Sequence, residues 1–126
     1  MKPHKEWQLR AEHDIESARY LLTSPSPLFD VAIYHTQQCA EKTLKAFLAY
    51  HRQVIDKTHN LKMLAETCAE IDETFYTIID DCIFLNPFAV LYRYPDSDDM
   101  PDKDEVVTAI AIAEKIVAFV NEKIND

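Results

Sequence analysis

Ala32-Ile33-Tyr34-His35-Thr36-Gln37-Gln38-Cys39-Ala40-Glu41-Lys42-Thr43-Leu44-Lys45-Ala46-Phe47-Leu48 is the stretch that decides the fold. It holds no helix breaker, and its apolar residues recur with the period of an α-helix. At about 3.6 residues per turn, Ile33, Ala40, Leu44, Phe47 and Leu48 fall on one side, while His35, Gln38, Lys42 and Lys45 form a stripe on another. A helix that only filled a core would not need that polar stripe. Two further segments stand out: Thr58-His59-Asn60-Leu61, and Leu91-Tyr92-Arg93-Tyr94-Pro95-Asp96, an arginine between two tyrosines closed by a proline.

Composition extends the helical reading. A chain of 126 residues suits one domain, 1–126, with a single core. Gly is absent, and tight hairpins and bulges commonly depend on it, so a β-sandwich or barrel is disfavoured. No apolar run approaches the roughly 18 residues that span a bilayer. Met1-Lys2-Pro3-His4-Lys5 leads into no apolar stretch, so no secretory signal is expected. Cys39, Cys68 and Cys82 lie in apolar helical patterns without paired short spacing. They read as reduced core thiols, and the expected compartment is the cytoplasm.

Acidic residues number 22 against 13 Lys and Arg, a formal net charge of −9. Such a surface repels nucleic acid at long range, because phosphate binding needs cations that release counterions. A local basic site around Lys42, Lys45 and Arg52 stays open. The acids concentrate in Asp96-Ser97-Asp98-Asp99-Met100-Pro101-Asp102-Lys103-Asp104-Glu105. That run reads as a solvated loop entering a helix whose macrodipole favours negative charge; a docking surface for a basic partner is the sharper alternative.

Five helical segments are expected. The first spans about Lys5 to Thr23, with Trp7, Ala11, Ile15, Ala18 and Leu22 at spacings of four and three, and Ser24-Pro25-Ser26-Pro27 breaks it. Ser26 and Pro27 look like the cap and first residue of the second helix, which runs to about His51. Thr58 is the expected cap of a third helix carrying Leu61, Leu64, Cys68 and Ile71. A fourth carries Phe75, Ile78, Ile79, Cys82 and Ile83 and should end or kink at Asn86-Pro87. The last, about Lys103 to Lys123, opens with Asp102 and Glu105 in capping-box spacing. Its two apolar stripes should face two neighbours. Short connections make this an all-α, up-and-down antiparallel bundle of four main helices plus a shorter one.

The chemistry divides into functional and structural readings. His35 is either a histidine satisfied by a neighbouring helix or one of a stripe of donors facing a groove. Glu41 and Lys45 form an ordinary i,i+4 ion pair. Arg93 offers a planar fork of donors to phosphate or carboxylate beside tyrosines that can stack, or else ties down its loop through helix-end carbonyls and Asp96. Asp80-Asp81 reads as a solvated helix face. His4, His13 and His51 show no metal-ligand spacing, so no metal site and no cofactor are expected. A phosphate loop of the Gly-rich kind is impossible without Gly.

The histidine–glutamine–glutamine helix with its later Ala-Glu-Lys, the Thr58-His59 pair and the Arg93-Tyr94-Pro95-Asp96 turn, in this order, resemble the HEPN family of small prokaryotic helical domains. The resemblance spans roughly Trp7 to Ile124 and implies the HEPN bundle. Ribonucleases of that superfamily carry an arginine followed about four to six residues later by a histidine, where histidine moves protons and arginine stabilises the phosphorane. Here Arg93 has no histidine after it. The one arithmetic match, Arg52 and His59 with six residues between them, lies across the connection of the second and third helices. It leaves a metal-independent ribonuclease with a displaced pair as the alternative.

Related HEPN domains are often encoded beside a minimal nucleotidyltransferase in modules of toxin–antitoxin type. The resemblance therefore implies a homodimeric binding module for a nucleotide, a nucleotidyltransferase partner, or both. His35, Gln38, Lys42, Lys45, Arg93, Tyr94 and Asp96 would form the contacting set. A ligand-free structural homodimer is the remaining reading.

Overall fold

Proline bounds the first helix at both ends. α1 runs from Pro3 to Thr23, with Pro3 in the first turn, where a missing N–H costs nothing, and Pro25 forcing Ser24 into extended backbone. The computed structural model describes residues 1–95 and 99–125. Five α-helices, two short 3-10 segments and no strand occur among the described residues. Ala11, Ile15 and Ala18, the middle of the expected apolar stripe, are buried, with Trp7 and Leu22 packed at its edges.

α2 (Phe29–Tyr50) is the central element, packing against α1, α3 and α5, and touching α4. All five residues of its apolar stripe, Ile33, Ala40, Leu44, Phe47 and Leu48, are buried. The helix begins after the expected Ser26-Pro27 start, with Leu28 at the cap position and no side-chain cap. The Leu28 N–H, which a Ser26 cap would need, instead reaches the Leu21 carbonyl at 3.4 Å and ties the two helices together. At the other end the Arg52 N–H bonds the Ala49 carbonyl at 3.0 Å and the Gln53 N–H bonds the Leu48 carbonyl at 2.9 Å. That Schellman pattern needs a left-handed residue, usually Gly. Arg52 takes the position with φ 58°, in a chain that has no Gly to place there.

α3 (Leu61–Ile71) is capped by Asn60, whose side chain accepts the Met63 N–H at 3.1 Å. Thr58, the expected cap, is used one step earlier, its hydroxyl accepting the Asn60 N–H at 3.1 Å. The expected fourth helix divides into a 3-10 segment, Glu73–Ile78, and α4 (Ile79–Leu85), followed by a second 3-10 segment at Asn86–Ala89. Asp72 causes the division by accepting both the N–H and the hydroxyl of Thr74, which winds the chain tightly before an α-turn can form. Ile83, expected on the apolar stripe, is exposed. α5 (Lys103–Asn121) opens as expected, with the Asp102 side chain accepting the Glu105 N–H at 2.8 Å.

Residue pairs across the helices give their directions. Leu21 meets Leu28, Asp14 meets His35, and His4 meets Tyr50, so α1 and α2 are antiparallel. Gln8 bonds Asn121 and Arg19 pairs with Glu114, which sets α5 antiparallel to α1. The connection after α2 turns back along the bundle: His59 meets Glu41 and Cys68 meets the Leu44 carbonyl, so α3 follows α2 in the same sense. Phe47, Phe75 and Phe119 join α2, the first 3-10 segment and α5 through ring contacts at 4.5 and 5.1 Å. Among the described residues no helix is long and apolar enough to cross a membrane.

Candidate functional site: the polar face of α2 and the arginine turn

Carboxylates from two sources meet the polar stripe of α2. Asp14, buried on α1, bonds His35 Nδ1 at 2.7 Å through one oxygen and Lys42 Nζ at 2.6 Å through the other. Further along, Glu41 accepts Lys45 Nζ at 3.0 Å on one oxygen and His59 Nδ1 at 2.8 Å on the other. Gln38 Nε2 approaches the second oxygen at 3.5 Å and donates to Gln37 Oε1 at 2.7 Å. An ionised carboxylate only accepts, so each imidazole carries a proton on Nδ1 and leaves Nε2 for another partner.

Burying a carboxylate is costly unless it is paired and hydrogen-bonded, and each of these has a lysine and a histidine. Gln37, fully buried, fixes the chain around His59 by donating to the His59 carbonyl at 2.9 Å. Every buried side-chain nitrogen and oxygen among the described residues has a partner.

The arginine turn packs against the start of this stripe. Tyr92 is left-handed, φ 70°, a conformation costing a non-glycine residue about 1–2 kcal/mol. Three contacts or bonds hold the turn there: the Tyr92 ring stacks on Phe88 at 6.2 Å, its hydroxyl donates to Glu105 at 2.9 Å, and the Arg93 N–H bonds the Val90 carbonyl at 3.2 Å. Burial, with the Glu105 bond, pushes the Tyr92 phenol above its ordinary range. The turn lays the exposed Arg93 guanidinium over the Tyr34 ring, 4.2 Å from its centre. Tyr34 in turn stands edge-on to His35 at 5.5 Å. Asp30, Val31, Tyr34, His35, Tyr92 and Arg93 line an open cavity of about 260 Å³. On its other side His35 borders a second hollow with His13, Glu16 and Tyr20.

The expected site residues therefore part company. His35 and Arg93 share a cavity. Lys42 and Lys45 lie on the same face, and each is already paired with a carboxylate. Gln38 belongs to the hydrogen-bond file between the two clusters. Tyr94 is exposed beyond Arg93, and Asp96 lies outside the described residues. Arg52 and His59 are not brought together: His59 sits on Glu41, and Arg52 lies past the C-terminal end of α2, whose last residue, Tyr50, is nine helix positions beyond Glu41, about 13 Å at the rise of an α-helix. Asp14 and Tyr34 were missed. Asp14 had a signal, a carboxylate at helical spacing from Ala11 and Ala18 on an otherwise apolar stripe. Tyr34 had none, because its role depends on a turn almost sixty residues away in sequence.

Burial raises the thiols of Cys39, Cys68 and Cys82 to about 12, which leaves them protonated and inert at neutral pH. Among the described residues no three His, Cys, Asp or Glu side chains converge as a metal site.

A family model for the HEPN domain matches residues 4–123. The crystal structure of TT1696 from Thermus thermophilus is similar, with a TM-score of 0.85 and 26% identity over 98% of this chain and 99% of that one. The crystal structure of ST0689, an archaeal HEPN homologue, gives a TM-score of 0.78 at 26% identity over 99% of this chain and 100% of that one. No curated protein matches the chain.

Proposed function

The chain belongs to the HEPN family, and from that premise we propose that it is a binding module for a nucleotide, in partnership with a minimal nucleotidyltransferase of a toxin–antitoxin-like pair. The observation that carries this reading is the Arg93 guanidinium over the Tyr34 ring, 4.2 Å from its centre, at the edge of a cavity that also contains His35. A guanidinium fixed on an aromatic face keeps its donors aimed outward, and it matches phosphate oxygens in a way a mobile lysine does not. Tyr34 and Tyr92 supply aromatic surface beside it for a base. Ile83, Phe84, Val90 and Leu91, exposed on the segments leading into the turn, suit contact with a protein partner or a second copy.

The acidic chain disfavours long nucleic acids, whereas a single nucleotide needs only one local cation. Calorimetric titration with AMP and ATP tests the reading: saturable binding to the wild type that is lost in Arg93→Ala and weakened in Arg93→Lys. Absence of binding to the folded wild type refutes the nucleotide arm. RNA cleavage abolished by both Arg52→Ala and His59→Ala would replace the binding module with a ribonuclease.

A further inference from the structure

Cys82 to Tyr92 is the longest uncharged run in the chain, eleven residues in a sequence that is 28% charged. Its inward residues, Cys82, Leu85 and Phe88, are buried in the core. The outward ones are apolar as well: Ile83, Phe84, Val90 and Leu91 are between 37% and 59% exposed. A segment that is apolar on all sides is ordinarily covered on all sides. Single exposed apolar residues are common, but these are joined. The Phe84 ring meets Phe88 at 5.7 Å and Phe88 stacks on Tyr92 at 6.2 Å, so one aromatic file links α4 to the arginine turn. The Pro87 carbonyl accepts the N–H groups of Val90 and Leu91 at 3.1 and 2.8 Å, which fixes both residues next to that file.

Charge decides between a second copy and another protein as the cover. Asp80 and Asp81 precede the run. At its far end Glu105 accepts the Tyr92 hydroxyl, and Asp99 and Asp102 lie close enough to act on the same phenol. Asp81 is paired with Lys115, and Arg93, the cation that follows the run, lies back over Tyr34. Acids therefore border both ends, and in a chain of net charge −9 either orientation of a second copy sets acids against acids. We propose that Ile83, Phe84, Val90 and Leu91 form a docking face for an amphipathic helix of another protein, one whose apolar stripe is bordered by lysine or arginine. Apolar burial supplies the affinity, and the acidic ends supply attraction and register. The inference goes beyond the nucleotide reading, because none of these four residues lines the Arg93 cavity.

A dye-labelled peptide of leucine and lysine, about 18 residues in heptad pattern, is the probe, with a scrambled isomer of equal charge as its control. Anisotropy titrations should show saturable binding of the patterned peptide, at least about tenfold tighter than that of the scrambled one. Ile83→Ser combined with Val90→Ser should weaken it by about tenfold at an unchanged melting temperature, both residues being exposed. Equal binding of the two peptides is general attraction to an acidic chain and overturns the proposal. Undiminished binding to the folded double variant places the peptide elsewhere and overturns it too. Amide NMR of the wild type reads the site without any variant: the peptide must shift resonances from Ile83 to Leu91 most, and shifts centred on another helix refute the assignment. Sedimentation settles the rival occupant. A wild-type dimer that dissociates in the double variant puts a second copy on this face and refutes the choice of partner, whereas equal masses for the two proteins agree with it.

Discussion

Replacing Lys45 with Met tests whether the polar face of α2 is an ion-paired seam that holds the bundle together. Glu41 and Lys45 are 4% and 6% exposed and 3.0 Å apart, with the ammonium 5.6 Å from the centre of the Trp7 ring. Met keeps the stem that packs there and removes only the charge. Removing one partner of a buried pair costs about 3–5 kcal/mol, because the other charge is left uncompensated. His59 remains at 2.8 Å from Glu41 and keeps one of its oxygens hydrogen-bonded. The cost should accordingly sit near the low end, about 3 kcal/mol, a large share of the roughly 5–15 kcal/mol that holds a domain folded.

Trp7 is the only tryptophan and reports on the site directly, so urea unfolding can be followed by its fluorescence. At an m-value of about 1.5 kcal/mol/M the midpoint should fall by about 2 M. Glu41→Gln combined with Lys45→Met should lose less than the two single changes together, since no charge is then stranded. A Lys45→Met protein within about 0.5 kcal/mol of the wild type would refute the reasoning, because changes that small are typical of surface substitutions.

Arg52→Gly should raise stability by several tenths of a kcal/mol up to about 1, since relief of the left-handed strain exceeds the added chain entropy; a lower melting temperature would count against the Schellman reading. Lys123 first and Thr74 second hold the Asp72 carboxyl at about 2, below its ordinary 3.8. The contribution of this pair is therefore fully present above about pH 4 and lost as pH falls through about 2. The melting temperatures of wild type and Asp72→Asn should differ by a small, constant amount from pH 7 to 4 and converge near pH 2, the pair being a surface one. A difference that persists at pH 2 would disprove the assignment. The three cysteines should resist a thiol reagent in the native protein at pH 8 and all react after denaturation; fast native labelling of any one would contradict its burial.

What could be read from the residues was whatever depends on helical period. The buried side of α2, the middle of α1 and the cap at Asp102 follow from spacing alone, because each involves neighbours within one or two turns. Cap choice at Ser26 and Thr58 failed for local reasons: the Leu28 N–H that Ser26 would cap goes to the Leu21 carbonyl and leaves α2 without a side-chain cap, while Thr58 accepts the Asn60 N–H and Asn60 caps α3 instead. The candidate site was legible only in part. A polar stripe shows which helix face is special, but its partners sit elsewhere in the chain: Asp14 lies 21 residues from His35, and Arg93 reaches Tyr34 from the far side of α4. Such pairings depend on how helices stack, which periodicity does not encode.

That distinction governs how mutants of this face must be interpreted. Lys42 looked, in sequence, like a phosphate ligand, and loss of nucleotide binding in Lys42→Ala would have seemed to identify it. In the structure Lys42 fills one side of Asp14, and Asp14 fixes His35. Removing Lys42 leaves Asp14 and His35 to re-pair, so binding would fall even if the lysine never touched ligand. Arg93 is free of that ambiguity, because it lies exposed on an aromatic ring at the end of its turn. Loss of binding in Arg93→Ala with an unchanged melting temperature therefore identifies contact, whereas the same loss in Lys42→Ala with a lowered melting temperature identifies only support. A Lys42→Ala variant that binds as wild type would show that Asp14 holds His35 in place without its second cation.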